Sequence, residues 1–308
     1  CKGKVSATAF IWPDPKLSPI VKELWCSKKI TKLFHNVSFD RTVLDQQLGV
    51  SMDGDWNDTL LSHHILYPGM PHDLQSVGSH LLDVPPWKHL GKEATKEKDL
   101  EKLRYYNAMD AWVTRALWDK MIVSLKDDRA LYEVQRACTE EARQMHLRGI
   151  PVSQTCVKQE AQRLNVEGVE ANLTWIREQY AWPEFNHNRA ADIRKLLFEI
   201  LKFPIMGYTD KQRLPKTDEE TLVACSRSRA PKESIVAVDH LMAVRSASKA
   251  YSTFVRPLEE KNIKRLHFEW NTTGTVTLRW TSKTNCQNWP KPLRKMVVAP
   301  KGFIFIAA

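Results

Sequence analysis

The 308-residue sequence has no apolar run that approaches the roughly 18 residues a membrane-spanning helix needs. Its six cysteines are widely spaced and include no C-x-x-C pair, so neither a clustered zinc site nor a disulfide framework is expected. Hydrophobic residues make up 43% and charged residues 27%, which excludes collagen-like and wholly disordered chains. We therefore expect a globular protein of about two domains, with free thiols in a reducing compartment.

Acidic residues are scarce at the end of the chain. Lysine and arginine outnumber aspartate and glutamate by 46 to 36, a net charge of +10. The last 68 residues hold 12 basic and 3 acidic side chains, whereas the rest of the chain is nearly balanced. A surface in that last region that meets a polyanion would explain the excess, and a solvated face with a charge bias is the alternative.

The spacing of apolar residues predicts a largely helical chain with strands near its start and end. A domain boundary is predicted at 126–128, and the second long helix ends at Gly149 and Pro151. Helices are predicted over 17–25, 41–49, 58–67, 99–126, 129–147, 154–180, 189–202 and 233–260. Strands are predicted over 30–34, 273–279 and 297–308, the last one buried.

Two short motifs carry groups suited to metal chemistry. His35-Asn-Val-Ser-Phe-Asp40 follows the first predicted strand and opens a helix, which places a carboxylate near a sheet edge. Tyr106 and Asp110 are four residues apart in a predicted helix and therefore share a face. Either motif alone is a weak signal, but their order and separation together are specific.

This pair of motifs resembles the second and third motifs of proofreading 3′–5′ exonucleases of the DEDD type that use a tyrosine. The resemblance implies an RNase H-like α/β fold and hydrolysis of phosphodiesters with two Mg2+ ions. It also implies that Asp40 and Asp110 are metal ligands, that Tyr106 positions the attacking water, and that Asn36 contacts the DNA end.

The first motif of that family, Asp-x-Glu, has no match before Asp40, where Asp14 and Glu23 are the acidic residues. We expect either that the chain starts downstream of this motif or that the nuclease is inactive. Asp58 is interpreted as a helix cap. His63 and His64 are adjacent and face different directions on a helix, so a shared metal site is not predicted.

A second constellation lies in the basic region, where hydroxyls, amides and arginines alternate with few acids. Such groups suit phosphate oxygens and groove edges, and a polar edge strand with turns is the alternative. The stretch resembles the start of the palm in family A DNA polymerases, with three departures at Leu278, Trp280 and Thr284. The matching positions are Thr275, Thr277, Arg279, Ser282, Asn285, Gln287, Asn288, Pro290 and Arg294.

Upstream residues are similar to the same family. The stretch 146–152 resembles the helix end that opens the thumb region. Arg245, Lys249, Ser252 and Thr253 stand where the family's thumb helix reaches duplex DNA, so the resemblance implies DNA contacts for them.

The resemblance implies an incomplete RNase H-like exonuclease domain over 1–126, a mainly helical thumb over 127–265 and the start of an α+β palm over 266–308. We expect a fragment of a proofreading DNA polymerase that binds primer–template DNA and single-stranded 3′ ends but lacks complete active sites, since it stops before the first polymerase carboxylate. The intact enzyme would use dNTPs in the cytoplasm of a bacterial or phage-infected cell, with no membrane partner and no assigned processivity factor. The alternatives are a stand-alone DEDD-type exonuclease and an inactive DNA-binding module.

Overall fold

The computed structural model describes residues 15–283 and 286–306, apart from the side chain of Cys286. Contacts divide this part of the chain into two compact units. The first unit takes the described residues up to Arg148 together with His267–Gln287, and the second takes Gly149–Leu266 and the described residues from Asn288 onward. Within the described ranges, no helix is long and apolar enough to cross a membrane.

The first unit is helical around a short parallel strand pair, in which Phe34 is opposite Asp58. Its strands are β1 (Lys32–Phe34) and β2 (Trp56–Asp58). Its helices are α1 (Ser18–Cys26), α2 (Val37–Leu48), α3 (Thr59–Leu66), α4 (Leu74–Leu82), α5 (Lys88–Glu97), α6 (Leu100–Ser124) and α7 (Arg129–Arg148). The two long helices confirm the prediction from apolar spacing.

Polar residues at the helix ends set where these helices begin and stop. Asp73 and Asp99 cap α4 and α6 by accepting hydrogen bonds from backbone N–H groups of the first turn. Gly49 ends α2 with a φ of 66°, a left-handed conformation that glycine adopts without a steric penalty. This confirms the predicted glycine stop, although α2 begins at Val37 rather than at residue 41.

Two hydrophobic clusters hold the first unit together. One surrounds the strand pair and includes Trp25, Phe34, Trp56 and Tyr132. The other packs one face of α6 against α4 and the indole that precedes α5; its buried members are Leu74, Val77, Trp87, Val113, Leu117 and Met121. The second cluster fixes α6 beside the start of α5, which brings residues far apart in sequence together.

The second unit is also mainly helical. Its helices are α8 (Gln154–Gln162), α9 (Ala171–Gln179), α10 (Ala190–Arg194), α11 (Glu219–Ser226), α12 (Lys232–Ala250) and α13 (Arg256–Glu260). π-helical turns over Arg163–Glu170, Lys195–Ile200 and Tyr251–Val255 join several of them, which confirms the predicted long helical stretches. Strand β3 (Ile150–Pro151) pairs antiparallel with β4 (Arg265–Leu266).

Within the first unit, β5 (Trp270–Asn271) pairs antiparallel with β6 (Thr281–Ser282). The predicted strand over 273–279 is wrong, because these residues form the turn between the two strands. Thr275 Oγ1 accepts a hydrogen bond from Arg279 N and donates one to Arg279 O, both at 2.9 Å. Leu278 has a φ of 61°, which no strand accommodates.

The predicted buried strand at the end of the chain is also wrong over its described part. Residues 303–306 form no strand and are 60–87% exposed, and residues 307–308 lie outside the described residues. Val297 makes an isolated antiparallel bridge to Val152. An apolar run becomes a buried strand only where a neighbouring strand and a core face receive it, and the described residues supply neither.

The four cysteines whose side chains are described, Cys26, Cys138, Cys156 and Cys225, are free thiols, as predicted. The contact division assigns α7 and 267–287 to the first unit. The predicted domain limits of 1–126, 127–265 and 266–308 stay a prediction.

Candidate active site

The first motif lies between a strand end and two helix starts. Asn36 follows β1 with φ 81° and ψ 64°, and this turn leads directly into α2. The Asp58 carboxylate accepts hydrogen bonds from Val37 N at 2.6 Å and from Leu60 N at 2.7 Å, so one buried side chain caps both α2 and α3. The predicted capping role of Asp58 is confirmed.

Asp40 and Asp110 line the same cleft, which has a volume of about 890 Å³. Asp40 comes from the first turn of α2 and Asp110 from the middle of α6. Burial raises the pKa of Asp40 to about 6, and the charges of Asp58 and Asp110 add to the rise. The structure therefore brings the two predicted metal ligands close enough for their charges to interact.

Asp110 is held by two side chains that the sequence motifs do not include. Trp87 Nε1 donates to Asp110 Oδ1 at 2.7 Å, and Lys88 Nζ donates to Asp110 Oδ2 at 2.7 Å. Lys88 Nζ also donates to the Tyr106 hydroxyl at 3.0 Å. Burial alone would lower the pKa of Lys88, but its bonds to Asp110 and Tyr106 raise it above its ordinary value.

Sequence reasoning missed Trp87 and Lys88 because they precede Tyr106 by 18 residues or more and lie on another helix. The one available signal was the Trp-Lys pair after Pro85-Pro86, where a helix start was expected to place polar groups near a turn. Only the packing of α5 on α6 shows which residues that pair reaches.

The donor set of the cleft fits a divalent cation. Carboxylate oxygens are the ligands that Mg2+ prefers, and Asp40 and Asp110 supply them from two helices. The raised pKa of Asp40 reports uncompensated negative charge, which a cation would neutralise. Over residues 15–283 and 286–306, no group of three or more His, Cys, Asp or Glu side chains is arranged to hold a metal, so the described residues supply two ligands.

A cluster of buried histidines adjoins the cleft. His72 Nδ1 lies 2.8 Å from His63 Nδ1, and His72 Nε2 lies 2.8 Å from His64 Nδ1. His35 Nε2 contacts the backbone oxygen of His72 at 2.9 Å. Burial lowers the pKa of His63 to about 4, and the charges of neighbouring histidines lower it further. His63 and His64 thus contact opposite nitrogens of one ring and serve packing.

Two family models match the chain on either side of α7. The model for 3′–5′ exonucleases matches residues 11–126, and the model for DNA polymerase family A matches residues 156–308. The chain belongs to the family A DNA polymerases.

Individual relatives agree with this family. The chain is 29% identical over 158 residues to the thermostable DNA polymerase I of Thermus thermophilus, which covers 47% of the chain and 18% of the relative. It is 25% identical over 329 residues to the DNA polymerase of Escherichia phage T5, which covers 91% of the chain and 37% of the relative. The chain therefore spans less than two-fifths of the length of either relative.

A solved structure of the POL domain of Pol1 from M. smegmatis, in complex with DNA primer-template and dNTP, shares the fold. The superposition has a TM-score of 0.71 and 18% sequence identity and covers 94% of this chain and 49% of that one. The exonuclease and polymerase parts of the family fold are thus both present in this helix-rich chain.

Several residues that the family resemblance assigns to DNA binding lie around the turn between β5 and β6. The Thr275 hydroxyl is engaged with the backbone of Arg279, whereas the Thr277 and Arg279 side chains are exposed. Ser282 is half-buried in β6, and Gln287 Nε2 donates to the backbone oxygen of Trp280 at 2.9 Å. The DNA contacts of these side chains stay a prediction.

The other predicted DNA-binding residues belong to the second unit. Arg245 donates to the backbone oxygen of Thr217, so its guanidinium has a partner within the unit, while Lys249 is exposed one turn later on α12. The remaining candidates, Ser252, Thr253, Asn288 and Arg294, are exposed.

Proposed function

We propose that this chain carries the 3′–5′ proofreading exonuclease of a family A DNA polymerase, which removes nucleotides from single-stranded 3′ ends. The observation that carries the proposal is the convergence of Asp40, Asp110 and Tyr106 from two helices on one side of the first unit. The match to the 3′–5′ exonuclease model over residues 11–126 supports it.

Each residue has a chemical role in this proposal. Asp40 and Asp110 would hold Mg2+, which supplies an activated water and stabilises charge on the leaving oxygen. The Tyr106 hydroxyl accepts a hydrogen bond from Lys88, so its own proton is free to orient a water beside the scissile phosphate. Asn36 is exposed beside the cleft, where its amide would contact the terminal nucleotide.

The rest of the chain is proposed to bind DNA for polymerisation. We assign 127–265 to a mainly helical thumb and 266–308 to the start of the palm, as the match to the family A polymerase model over 156–308 supports. The net positive charge of the last 68 residues suits primer–template DNA. The intact enzyme would take dNTPs and act in the cytoplasm of a bacterial or phage-infected cell, in line with its Thermus and phage T5 relatives.

A hydrolysis assay tests the exonuclease proposal. The polypeptide expressed from the complete reading frame is incubated with a 5′-labelled single-stranded oligonucleotide and Mg2+, and shortening from the 3′ end is followed on a gel. Asp110→Asn should reduce the rate at least 100-fold, because it removes a ligand charge. Asp127→Asn, the same change at an exposed position, is the control. Equal rates for wild type and Asp110→Asn would contradict the proposal.

A DNA-binding module without hydrolysis is the second candidate, since the described residues supply two metal-ligating carboxylates and no third. It predicts salt-dependent binding of primer–template DNA with no shortening of the oligonucleotide. A stand-alone exonuclease is disfavoured by the match to the polymerase model over 156–308.

A further inference from the structure

Lys88 lies at the point where the two residues of the Tyr106–Asp110 motif meet. Its ammonium donates to Asp110 Oδ2 at 2.7 Å and to the Tyr106 hydroxyl at 3.0 Å. We propose that Lys88 is a positioning residue of the exonuclease site, which ties the Tyr106 hydroxyl to the Asp110 carboxylate so that they face the cleft as one fixed pair. This inference rests on the proposed exonuclease function.

The surroundings of Lys88 hold its side chain in this place. Its backbone N–H donates to Gln75 Oε1 at 3.0 Å at the start of α5. The preceding residue, Trp87, is buried and binds the other oxygen of Asp110. A Cβ at Gly91 would lie 3.0 Å from Cε2 and Cζ of Tyr106, so the glycine leaves room for the tyrosine ring against α5.

Stability alone does not explain the ion pair. The side chains of Lys88 and Asp110 are 34% and 26% exposed, and ion pairs with this much solvent contact contribute little to folding. A carboxylate has about four lone-pair sites, and Trp87 and Lys88 use one on each oxygen. Asp110 can therefore bind a cation while Lys88 orients it from behind, as outer partners of metal ligands do.

The first test is a kinetic cycle with Lys88→Met, Tyr106→Phe and the double variant in the polypeptide from the complete reading frame. Lys88→Met should lower kcat 10- to 100-fold with KM for single-stranded DNA within twofold of wild type. The double variant should be no slower than the slower single variant, because Lys88 acts through Tyr106 and Asp110. Lys88→Arg, which keeps the charge and the donors, should recover part of the rate.

Two controls separate this role from others. Lys92→Met makes the same change at an exposed position of α5 and should leave kcat unchanged. A loss in KM, with a salt slope of binding smaller by about one, would make Lys88 a phosphate contact and overturn the proposal. Multiplicative effects of Lys88→Met and Tyr106→Phe would overturn it as well.

A second measurement needs no metal and no activity. The same cycle is applied to the unfolding equilibrium constant of this chain in EDTA, where a hydrogen-bonded pair should show a coupling factor of about 3 to 10. A factor of 1 would overturn the inference. If Asp110→Asn abolishes hydrolysis but Lys88→Met does not, the inference fails while the proposed function stands; if Asp110→Asn has no effect, the proposed function fails and the coupling factor alone decides whether Lys88 and Tyr106 act as a pair.

Discussion

The cleft and the β5–β6 turn hold their motif residues in different ways. In the cleft, Asp110 and Tyr106 are positioned by Trp87 and Lys88, which come from another helix. In the turn, Thr275 is bonded to the backbone of Arg279, four residues away. Tertiary contacts thus fix the cleft before any ligand arrives, whereas the turn depends on local hydrogen bonds and keeps its cationic side chain exposed.

This difference suits the two proposed tasks. Hydrolysis of a phosphodiester requires groups that are fixed to within a fraction of an ångström. Contacts to a DNA backbone are made by exposed cations whose long side chains adjust to the phosphates. Changes in the cleft should therefore have long-range effects, and changes in the turn should stay local.

The largest effect is expected for Asp58→Ala. The buried carboxylate accepts hydrogen bonds from the first turns of α2 and α3, and its loss leaves several N–H groups without a partner. The free energy of unfolding, from urea titration, should fall on the order of 3 kcal/mol. Asp127→Ala, at an exposed position, is the control. A loss below about 1 kcal/mol would show that the two helix starts do not depend on Asp58.

The histidine cluster should make the first unit sensitive to acid. An unfolded histidine takes up a proton near its ordinary pKa of 6.5, whereas folded His63 does so only near 4. The unfolded state therefore binds more protons between these values, and stability falls as pH drops from 6.5 toward 4, by up to about 1.4 kcal/mol per pH unit.

His63→Asn should flatten that dependence, and His89→Asn, at an exposed position, should not. The measurement is the free energy of unfolding at several pH values between 7.5 and 4. Parallel curves for wild type and His63→Asn would contradict the account of the buried cluster.

Asp40→Asn should stabilise the metal-free chain at neutral pH. The pKa of folded Asp40 is about 6, above its ordinary 3.8, so the folded state loses stability as pH rises through this interval. At pH 7.5 in EDTA the variant should gain about 2 kcal/mol, and near pH 4 the gain should vanish. Asp127→Asn serves as the control, and a gain that is the same at both pH values would contradict the electrostatic cause.

The smallest and most local effect is expected in the turn. Leu278 has a φ of 61°, where a side chain is strained, so Leu278→Gly should raise the free energy of unfolding by about 0.5 to 1 kcal/mol. Thr277→Gly, next to it without a positive φ, should lower it. Equal effects of the two changes would show that backbone strain at Leu278 is not relieved.

Local signals were sufficient for most helices and for part of the site. The apolar spacing predicted the long helices, and the order of Asp40, Tyr106 and Asp110 predicted the residues that share the cleft. Residues 273–279 were misassigned because alternating threonines fit a strand as well as a turn, and the left-handed Leu278 disguises the glycine that usually marks such a turn. Lys88 was beyond prediction because its partners are set by helix packing.

The central claim, that Asp40 and Asp110 form a divalent-cation site, is tested most directly by Mn2+ binding to this chain, measured from the electron paramagnetic resonance signal of free Mn2+. Wild type and Asp127→Asn should bind Mn2+, and Asp40→Asn combined with Asp110→Asn should lose that binding at least tenfold. Equal Mn2+ binding by all three proteins would contradict the claim.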